Sequence, residues 1–464
     1  MTRNFSQDHV LIIGYARTGQ ATADFLLRRG AKVSLSNLTE LEDDQELQAL
    51  VDRGLTICPP GHPESILDEP IDYIVKNPGI PYQIPFVQEA VRRGIPIYTD
   101  VELASWVLKG QLIGITGSNG KSTVTLLTHL LLQHYPAGKA FLAGNIGIPV
   151  LELVDQIGAD DLLVMELSSF QLEGTQEFHP KVAIINNIFE AHLDYHGSRS
   201  AYIEAKLKLI KNLDESDYLI YNYDQEELRE WLKDSPAKLI PFAQDQVDDY
   251  VRKHGSYLED EHLFIKGKKI LSTQSIQIPG KHNISNVLAA ITVANQYEIS
   301  PSVIQEVVET YLGMPHRIQP VAEQGGRKFY NDSKATNTTA TITALKSFHQ
   351  PIHYIGGGLD RGNGFEDLKP YLTLIKRAYL YGESKFKMAE VFDQVEVAYE
   401  LFDNLDQATQ AAYKQAKEGQ VILFSPACAS WDQFKNFEER GDAFMRLVYH
   451  LLEISPYQEE GGSL

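Results

Sequence analysis

The sequence of 464 residues has little cysteine and too few basic residues to balance its acids, and each shortage excludes a class of protein. Only Cys58 and Cys428 are present, far apart and without the spacing of metal ligands, so we expect two reduced thiols rather than a disulfide framework or a zinc site. Lys and Arg number 42 against 62 Asp and Glu, which gives a formal net charge of -20. We therefore expect no nucleic acid and no anionic membrane as partner, because both select surfaces rich in Lys and Arg.

Long apolar runs are also missing from the sequence. No run is long enough to span a bilayer, and the first ten residues, "MTRNFSQDHV", contain no apolar signal core. We therefore expect a cytoplasmic protein that has no membrane partner, and we predict a monomer. The chain is too long for one hydrophobic core, so we expect two or three domains.

Short β-branched runs alternate with helical patterns in three successive blocks. In the first block, the strand-like runs "HVLIIG" and "AKVSLSN" flank the helical stretch "RTGQATADFLLRRG", and the same alternation returns in the other two blocks. This pattern predicts an α/β fold with parallel sheets, in domains at 1–98, 99–312 and 313–464. Within the second block, residues 222–271 are polar and predict irregular structure with hairpins. The acidic tail, residues 457–464, is predicted to fray.

A glycine-containing turn, "GYARTG" (Gly14 to Gly19), follows the first predicted strand. Its glycine spacing does not match the dinucleotide fingerprint. The second strand ends in Ser36 and Asn37, where a dinucleotide site has an acid for the ribose hydroxyl. We therefore predict a phosphate-bearing ligand other than NAD at this sheet edge, with a plain structural turn as the alternative.

The stretch "LIGITGSNGKST", residues 112–123, predicts a phosphate-binding loop between a strand and a helix. Gly117 and Gly120 allow a tight turn whose backbone N–H groups converge on an anion, and Lys121 adds a positive charge near the terminal phosphates. Ser122 or Thr123 offers a hydroxyl to Mg²⁺, and the helix points its positive end at the phosphate. The alternative is a glycine-rich turn that binds nothing.

Candidate metal ligands lie on the loops that follow. Glu166 ends the apolar run "LLVME" at the strand end that faces the ligand in a parallel sheet, where Mg²⁺ is its natural partner. A Glu that caps the next helix is the alternative. His192, Asp194 and His196 occur together in a predicted strand-exit loop, and Lys206 lies on a helix of the same connection. Taken alone, these four residues are as well explained as solvated polar side chains.

Other polar clusters are less specific. Asn283 and Asn286 share one helix face and predict contacts with a nucleotide base or ribose, with helix capping as the alternative. The third block offers Arg317, the cluster "YNDSKATN" from Tyr330, and the segment "SPACASWDQFKNFEERG" from Ser425. Two of these clusters follow predicted strands, where ligands bind in this architecture.

Taken together, the motifs resemble the Mur ligase family over essentially the whole chain. The matching segments, in family order, are "GITGSNGKST", "GNIGIP", "MELSSFQLE", "NNIFEAHLD", "AKLKLI", "GKHNISN", "PHR", "NDSKATN" and "SPACASWDQFKNFEERG". The resemblance implies a Rossmann-like N-terminal domain that binds a UDP substrate and a central P-loop domain of the mononucleotide-binding type. It also implies a Rossmann-like C-terminal domain that binds the amino acid and closes on ATP.

The last two of these motifs resemble the D-glutamate-adding branch of the family. The resemblance implies an ATP-dependent amide ligase that joins D-glutamate to UDP-N-acetylmuramoyl-L-alanine through an acyl phosphate, in peptidoglycan precursor synthesis. It implies ATP as a co-substrate, two Mg²⁺ ions and a carbamate on Lys206. A carbamate would turn a cation that is unfit as a metal ligand into an anionic oxygen donor for Mg²⁺.

The resemblance also assigns residues to each ligand. Lys121, His192 and Lys206 are the predicted catalytic residues. The predicted metal ligands are Ser122, Glu166, His192 and Lys206. The predicted ATP-binding residues are Gly117, Ser118, Asn119, Gly120, Lys121, Ser122, Thr123, Asn283, Arg317 and Asp332. The predicted UDP-substrate residues are Thr18, Gly19, Ser36, Asn37, Asn77, Gly79 and Asn145. The predicted D-glutamate residues are Lys334, Thr336, Ser430 and Phe437.

Two departures from the family pattern affect the predicted contacts. Where some members have a Lys after the glycine-rich turn of the third block, this chain has "LDRG", and we expect Arg361 to take that role. The neutral Ser36 and Asn37 leave the contact with uracil open.

Three other functions remain open from the sequence. They are a folylpolyglutamate synthase of the same superfamily, a nucleotide-regulated binding module without chemistry, and an NAD oxidoreductase. The run "NPGIP" in a dedicated N-terminal block argues against the first, and Asn37 argues against the last.

Overall fold

The computed structural model of the protein describes residues 3–41, 45–362 and 364–454, and the predicted frayed tail at 457–464 lies outside them. The described residues form a mixed α/β structure with three sheets, which confirms the predicted fold class. The chain divides into two compact units. One comprises residues 1–273 and 284–307 and holds two sheets, and the other comprises residues 274–283 and 308–464 and holds the third.

The first sheet is parallel throughout, with strand order β3-β2-β1-β4-β5. Its strands are β1 (His9–Ile13), β2 (Lys32–Ser36), β3 (Thr56–Ile57), β4 (Tyr73–Lys76) and β5 (Ile97–Tyr98). This order is that of one half of a Rossmann fold, as predicted. Alternate residues of β1 pack on opposite faces, since Val10 and Ile12 contact one apolar cluster and Leu11 and Ile13 another.

Helices cover both faces of this first sheet. They are α1 (Arg17–Arg28), α2 (Gln45–Asp52), α3 (Pro85–Arg92) and α4 (Asp100–Val107). Phe25 of α1 packs on one face of the sheet, and Phe86 of α3 packs on the other. The carboxyl ends of the strands are thereby left as the edge at which a ligand binds in this architecture.

The second sheet has nine strands in the order β14-β13-β12-β11-β10-β9-β6-β8-β7. They are β6 (Gln111–Thr116), β7 (Ala140–Gly144), β8 (Leu162–Glu166), β9 (Val182–Ile185), β10 (Tyr218–Asn222), β11 (Lys238–Ala243), β12 (Ser256–Glu259), β13 (His262–Ile265) and β14 (Lys268–Ser272). The strands from β7 to β12 pair in parallel, and β12, β13 and β14 pair antiparallel. β6 lies between β8 and β9, so the loop that follows β6 is flanked by the loops that follow its two neighbours.

The segment between β6 and the third sheet contains nine of the described α-helices. They are α5 (Lys121–Leu132), α6 (Val150–Leu153), α7 (Ser169–Glu173), α8 (Leu193–His196), α9 (Arg199–Leu207), α10 (Glu226–Leu232), α11 (Asp249–His254), α12 (His282–Gln296) and α13 (Pro301–Thr310). The prediction of hairpins in residues 222–271 is confirmed for β12 to β14. The prediction of irregular structure is wrong for α10 and β11. α10 buries only Leu228 and Leu232, Trp231 is partly buried, and its other four residues are charged, so the stretch has little helical periodicity in apolar residues.

The third sheet belongs to the second unit and has strand order β15-β16-β20-β17-β18-β19. Its strands are β15 (Gln319–Gln324), β16 (Arg327–Asn331), β17 (Ile352–Gly357), β18 (Ile375–Tyr381), β19 (Tyr399–Leu401) and β20 (Val421–Phe424). β15 pairs antiparallel with β16, and the other pairs are parallel.

Five α-helices pack around this third sheet. They are α14 (Thr338–Leu345), α15 (Lys369–Leu372), α16 (Lys385–Asp393), α17 (Leu405–Gln415) and α18 (Phe437–Leu452). Two separate apolar clusters lie on the two faces, one with residues of α14, α15 and α16 and one with residues of α17 and α18. Among the helices of residues 3–41, 45–362 and 364–454, none combines the length and the apolar character that crossing a bilayer requires.

Candidate active site

The predicted phosphate-binding loop joins β6 to α5. Gly120 precedes the helix with φ +76°, a left-handed backbone conformation that glycine adopts without strain. A Cβ atom built at Gly120 would lie 2.6 Å from Nδ2 of Asn186 and would also contact the Asn286 side chain. The Lys121 ammonium donates hydrogen bonds to the carbonyls of Gly117 (2.9 Å) and Ser118 (3.1 Å). The sequence thus forms the strand, turn and helix start that hold a phosphate in other proteins.

Asparagine side chains from neighbouring elements form hydrogen bonds with this loop. Asn186 and Asn187 follow β9 and donate through Nδ2 to the Asn119 carbonyl at 2.9 and 3.0 Å. Asn186 also donates to Oδ1 of Asn286, at 2.9 Å, and so ties the loop to α12. Asn186 and Asn187 were not among the site residues predicted from the sequence. The signal was available, since two asparagines directly follow a buried strand that neighbours β6.

Glu166 is the last residue of β8 and is 1% exposed. Its Oε1 accepts a hydrogen bond from Nδ2 of Asn145 (2.8 Å), and the Glu166 carbonyl accepts from the Asn145 backbone N–H (2.9 Å). Its Oε2 is buried and has no hydrogen-bond partner among the residues that the structure describes. A buried carboxylate oxygen without a partner is costly, and a cation is the partner that would satisfy it.

Lys206 projects from α9 toward the phosphate loop and is 1% exposed. Its Nζ donates to the Gly117 carbonyl at 2.8 Å and to the Thr116 hydroxyl at 3.3 Å. Burial lowers the pKa of Lys206 well below its usual value, repulsion from Lys121 lowers it further, and Glu166 opposes both. The structure therefore brings Lys206, Lys121 and Glu166 together, and the burial of Lys206 favours its neutral amine over the ammonium.

His192 lies on the loop between β9 and α8, with φ +56°, and α8 begins at the next residue. Burial lowers the pKa of His192, and so do the charges of Lys121 and Lys206, which places His192 near those two residues. Its ring packs on Phe170, with centroids 5.0 Å apart. Asp194 is exposed, whereas His196 is buried and bonds through Nε2 to the Ser169 hydroxyl at 2.9 Å.

Six of the seven residues predicted to bind the UDP substrate lie along the carboxyl edge of the first sheet, and the seventh, Asn145, follows β7 of the second sheet. Gly19 packs against the Gly14 carbonyl so closely that a Cβ would collide with it. The Ser36 hydroxyl bonds Nδ1 of His62 at 2.7 Å, and the Asn37 Oδ1 accepts from the Tyr15 N–H at 3.3 Å. The Thr18 carbonyl accepts a hydrogen bond from the Thr22 hydroxyl, and Oδ1 of Asn77 accepts one from the Gly79 N–H.

In the second unit, Asp332 follows β16 and is almost completely buried. Its Oδ2 accepts from the Ser425 hydroxyl at 2.7 Å, and its Oδ1 accepts from the Ile318 N–H at 3.1 Å. Burial raises the pKa of Asp332 to about 7, while the Ser425 bond and the nearby charge of Arg317 oppose the rise. Arg317 is exposed, and Asn283 donates through Nδ2 to the Pro279 carbonyl at 2.6 Å.

The predicted D-glutamate residues lie on two loops of the second unit. Lys334 is placed with its Nζ 5.5 Å from the centre of the Phe437 ring, at the start of α18, and the Thr336 N–H donates to the Lys334 carbonyl. Ser430 is buried on the loop after β20. Arg440 joins the two loops, since its guanidinium donates to the Ser333 carbonyl (2.8 Å) and the Cys428 carbonyl (3.0 Å).

Arg440 was not among the predicted site residues, although it lies within the motif "SPACASWDQFKNFEERG"; it is fully buried in α18. A charged residue on an amphipathic helix gives no sign in the sequence that it points inward. Arg361, expected to replace a family Lys, lies over the Trp431 ring at 4.4 Å.

Three family models match the chain in succession. The N-terminal domain of MurD-like Mur ligases matches residues 8–99, the Mur ligase middle domain matches residues 115–294, and the glutamate ligase domain of Mur ligases matches residues 316–428.

Several curated proteins are similar over nearly their whole length. The UDP-N-acetylmuramoylalanine–D-glutamate ligase of Lactiplantibacillus plantarum is 43% identical over 96% of this chain and 97% of its own. The proteins of the same name from Latilactobacillus sakei and Bacillus subtilis are 44% and 41% identical, over 97% and 96% of this chain and 99% and 98% of their own.

Solved structures share the fold at low sequence identity. The UDP-N-acetylmuramate-alanine ligase MurC from Thermotoga maritima superposes with a TM-score of 0.56 at 18% identity, over 96% of this chain and all of that one. The MurF ligase from Thermotoga maritima, in complex with ADP, gives 0.55 at 16% identity, over 98% and 99% of the two chains.

Proposed function

The chain belongs to the Mur ligase family, whose members are ATP-dependent ligases, and we propose that it joins D-glutamate to UDP-N-acetylmuramoyl-L-alanine. The reaction would supply a precursor of peptidoglycan. The observation that carries the proposal is the group formed by Lys121, Glu166 and Lys206 around the phosphate loop. The choice of substrates is supported by relatives that carry the name of this ligase and align over nearly the whole chain.

The proposed reaction has two steps, because a carboxylate does not acylate an amine at neutral pH without activation. First, a carboxylate oxygen of the UDP substrate bonds to the γ-phosphorus of ATP while the bond to ADP breaks. Then the D-glutamate nitrogen bonds to the acyl carbon and loses a proton, while the carbon–oxygen bond to phosphate breaks. Lys121, already held at the loop carbonyls, would screen the repulsion between the two anions in the first step.

The donor set of the central site fits Mg²⁺. Glu166 offers a buried oxygen without a hydrogen-bond partner, Ser122 offers a buried hydroxyl at the helix start, and His192 offers an imidazole. When bound, Mg²⁺ would neutralise charge on the phosphates and orient the γ-phosphoryl group. By resemblance the number of ions is two, which stays a prediction.

A carbamate on Lys206 is part of the proposal. The Nζ of a neutral lysine bonds to the carbon of CO₂ and releases one proton, and the product is an anionic oxygen donor. Burial and the neighbouring Lys121 favour the neutral amine that this reaction requires. His192, Lys206 and Lys121 are therefore the proposed catalytic residues.

The remaining assignments follow the three predicted domains, 1–98, 99–312 and 313–464. We propose that the carboxyl edge of the first sheet binds the UDP substrate and that Asn283, Arg317 and Asp332 contact ATP. Lys334, Thr336, Ser430 and Phe437 would surround D-glutamate, with Arg361 as a further cation. Because both proposed nucleotide substrates are made inside cells, we place the reaction in the cytoplasm. The monomeric state stays a prediction.

A substrate panel tests the proposed function. Phosphate release and product mass are measured with ATP, Mg²⁺ and UDP-N-acetylmuramoyl-L-alanine, together with D-glutamate, L-glutamate, L-lysine or meso-diaminopimelate. Of the four amino acids, we expect only D-glutamate to support turnover, and we expect no turnover when ATP or the UDP substrate is omitted. Lys121→Ala should be inactive, with Lys109→Ala, a charge change ahead of β6, as the matched control.

Each rival function predicts another result. A nucleotide-regulated binding module would bind ATP and release no phosphate with any member of the panel. Turnover with a folate substrate in place of the UDP substrate would indicate a folylpolyglutamate synthase, and equal use of L-glutamate would contradict the proposed amino-acid site.

A further inference from the structure

Lys76 is a fully buried lysine to which neither the sequence motifs nor the proposed reaction assigns a role. It is the last residue of β4, at the carboxyl edge of the first sheet, and its exposure is 0%. Its Nζ donates to the carbonyls of Ile80 (2.7 Å), Asn77 (3.3 Å) and Pro78 (3.3 Å). One ammonium group therefore gathers the carbonyls of the loop at residues 77–80, which carries two of the proposed UDP-substrate residues.

The same ammonium contacts the central part of the chain. The Tyr195 hydroxyl lies 3.2 Å from Nζ of Lys76 and also bonds the carbonyls of Pro78 and Ile80, each at 3.1 Å. A second link runs parallel to the first, since the Gln83 amide donates to the Tyr195 carbonyl at 2.9 Å. The first sheet and the second sheet belong to one compact unit, so these contacts lie inside it.

Tyr195 lies on α8, the short helix that begins directly after His192. Its ring packs on Phe170, with centroids 4.4 Å apart, and Phe170 in turn contacts the His192 ring at 5.0 Å. Phe170 follows Glu166 by one short turn, on α7. Lys76 is thus connected, through one tyrosine, to both loops that carry proposed metal ligands.

The burial of Lys76 is unusual for a residue that only fills space. Removing an ammonium from water is unfavourable unless hydrogen bonds replace the lost hydration, and a Met would pack at this position without that penalty. Burial lowers the pKa of Lys76 to about 8, and the nearby Glu173 opposes the shift, so the group is still mostly protonated at neutral pH. The buried ammonium therefore keeps its charge, and its hydrogen bonds fix the loop at 77–80 and the Tyr195 hydroxyl.

We propose that Lys76 is a positioning residue for the UDP substrate: through Tyr195 it fixes the loop at 77–80 relative to the helix that begins at His192. This sets the end of the UDP substrate that becomes phosphorylated against the ATP site. The inference rests on the proposed function, since it is the proposal that assigns Asn77 and Gly79 to the UDP substrate.

The test compares Tyr195→Phe, Lys76→Met and the double variant with the wild type. Tyr73→Phe serves as the matched control, because Tyr73 lies on the same strand and loses a buried hydroxyl whose partner, Asp8, is unrelated to the loop. The dissociation constants of UDP-N-acetylmuramoyl-L-alanine and of ADP are measured by calorimetry. The three KM values and kcat are measured by phosphate release.

We expect Tyr195→Phe to weaken binding of the UDP substrate about threefold to tenfold, the range for one lost hydrogen bond. Lys76→Met should weaken it at least about tenfold, since it removes several bonds at once. The ADP constant and the KM for D-glutamate should stay within about twofold, because the phosphate-loop bonds do not involve Lys76. The double variant should be no weaker than Lys76→Met, because the two side chains act through one contact.

Three results would overturn the inference. They are an unchanged affinity for the UDP substrate in Tyr195→Phe, additive effects in the double variant, and an equal weakening of all three ligands, which a merely structural role would give. If Lys76→Met does not fold, the comparison of Tyr195→Phe with Tyr73→Phe decides the question alone.

A wild type that binds the UDP substrate without turnover would refute the proposed reaction, and the binding test of Lys76 would still apply. A wild type that does not bind it would refute both.

Discussion

Replacing Gly120 by Ala tests whether the phosphate loop is held by the geometry described above. The new methyl group meets two obstacles. It stands on a left-handed backbone at φ +76°, which an alanine adopts only with strain, and it collides with the side chains of Asn186 and Asn286. The first obstacle is strain within one residue, whereas the second breaks the bond between the two asparagines that ties the loop to α12.

The two contributions can be separated by a matched glycine. Gly94 has φ +73° and lies in the same compact unit, and a Cβ built on it has no atom of the described residues within 4 Å. Gly94→Ala should therefore lower the free energy of unfolding by the strain alone, about 1–2 kcal/mol. Gly120→Ala should lower it by about 1 kcal/mol more, the usual contribution of one hydrogen bond.

Urea unfolding followed by tryptophan fluorescence measures both variants against the wild type, and calorimetry with ADP and Mg²⁺ measures the loop. We expect ADP binding by Gly94→Ala to match the wild type. Gly120→Ala should bind at least about tenfold more weakly, since the loop N–H groups no longer converge. Equal unfolding energies and equal ADP affinities in the two variants would show that the asparagines do not hold the loop and would refute this reasoning.

Three further predictions concern the polar residues of the two units. Lys206→Ala should be nearly inactive and should be partly rescued by added acetate or propionate, whereas Lys211→Ala, which changes an exposed neighbour, should keep full activity. Full activity of Lys206→Ala would contradict the proposal that Lys206 is a metal ligand. Ser430→Ala should raise the KM for D-glutamate about tenfold to a hundredfold, as expected for the loss of one charge-assisted hydrogen bond, and should leave the KM for ATP unchanged. A changed KM for ATP with an unchanged KM for D-glutamate would contradict the proposed site. Burial raises the pKa of Asp332 from its ordinary value of 3.8 to about 7. Between these two pH values the folded protein keeps a proton on Asp332, whereas the unfolded chain has released it. The free energy of unfolding should therefore fall as pH rises from about 4 to about 7, by at most about 4 kcal/mol, and Asp332→Asn should remove that dependence in urea titrations at pH 5 and pH 7.5. An unchanged difference between variant and wild type at the two pH values would contradict the assignment.

The fold was largely predictable because its strands are short, apolar and followed by helices. β1, β8 and β20 are all buried on both sides and stand out as predominantly apolar runs. The regular structure of α10 and β11 was not predictable, because a helix that buries two leucines has the composition of a loop. The antiparallel β15 was missed as well, since its six residues are only half buried and include Pro320.

The candidate site was predictable where one loop contains the whole signal. The glycines and the lysine between β6 and α5 are adjacent in sequence, and their roles follow from residue type. Lys76 and Arg440 gave no such signal, because the partner that matters for Lys76 lies 119 positions away and the partner that matters for Arg440 lies 107 positions away. Asn186 was marked only by its place after a buried strand, and its partner Asn119 lies 67 positions away. Their contacts depend on how the sheets pack, which composition and periodicity do not report.

The antiparallel end of the second sheet also bears on how the protein behaves at high concentration. β14 is the outermost strand in the sheet order, and Lys268 and Lys269 at its start are both exposed. An outer strand offers backbone groups on which a strand of another molecule can dock, and charges at that edge discourage this, since two copies would bring like charges together. These two lysines have no part in the proposed reaction, and their charges disfavour pairing of β14 with the same strand of a second molecule.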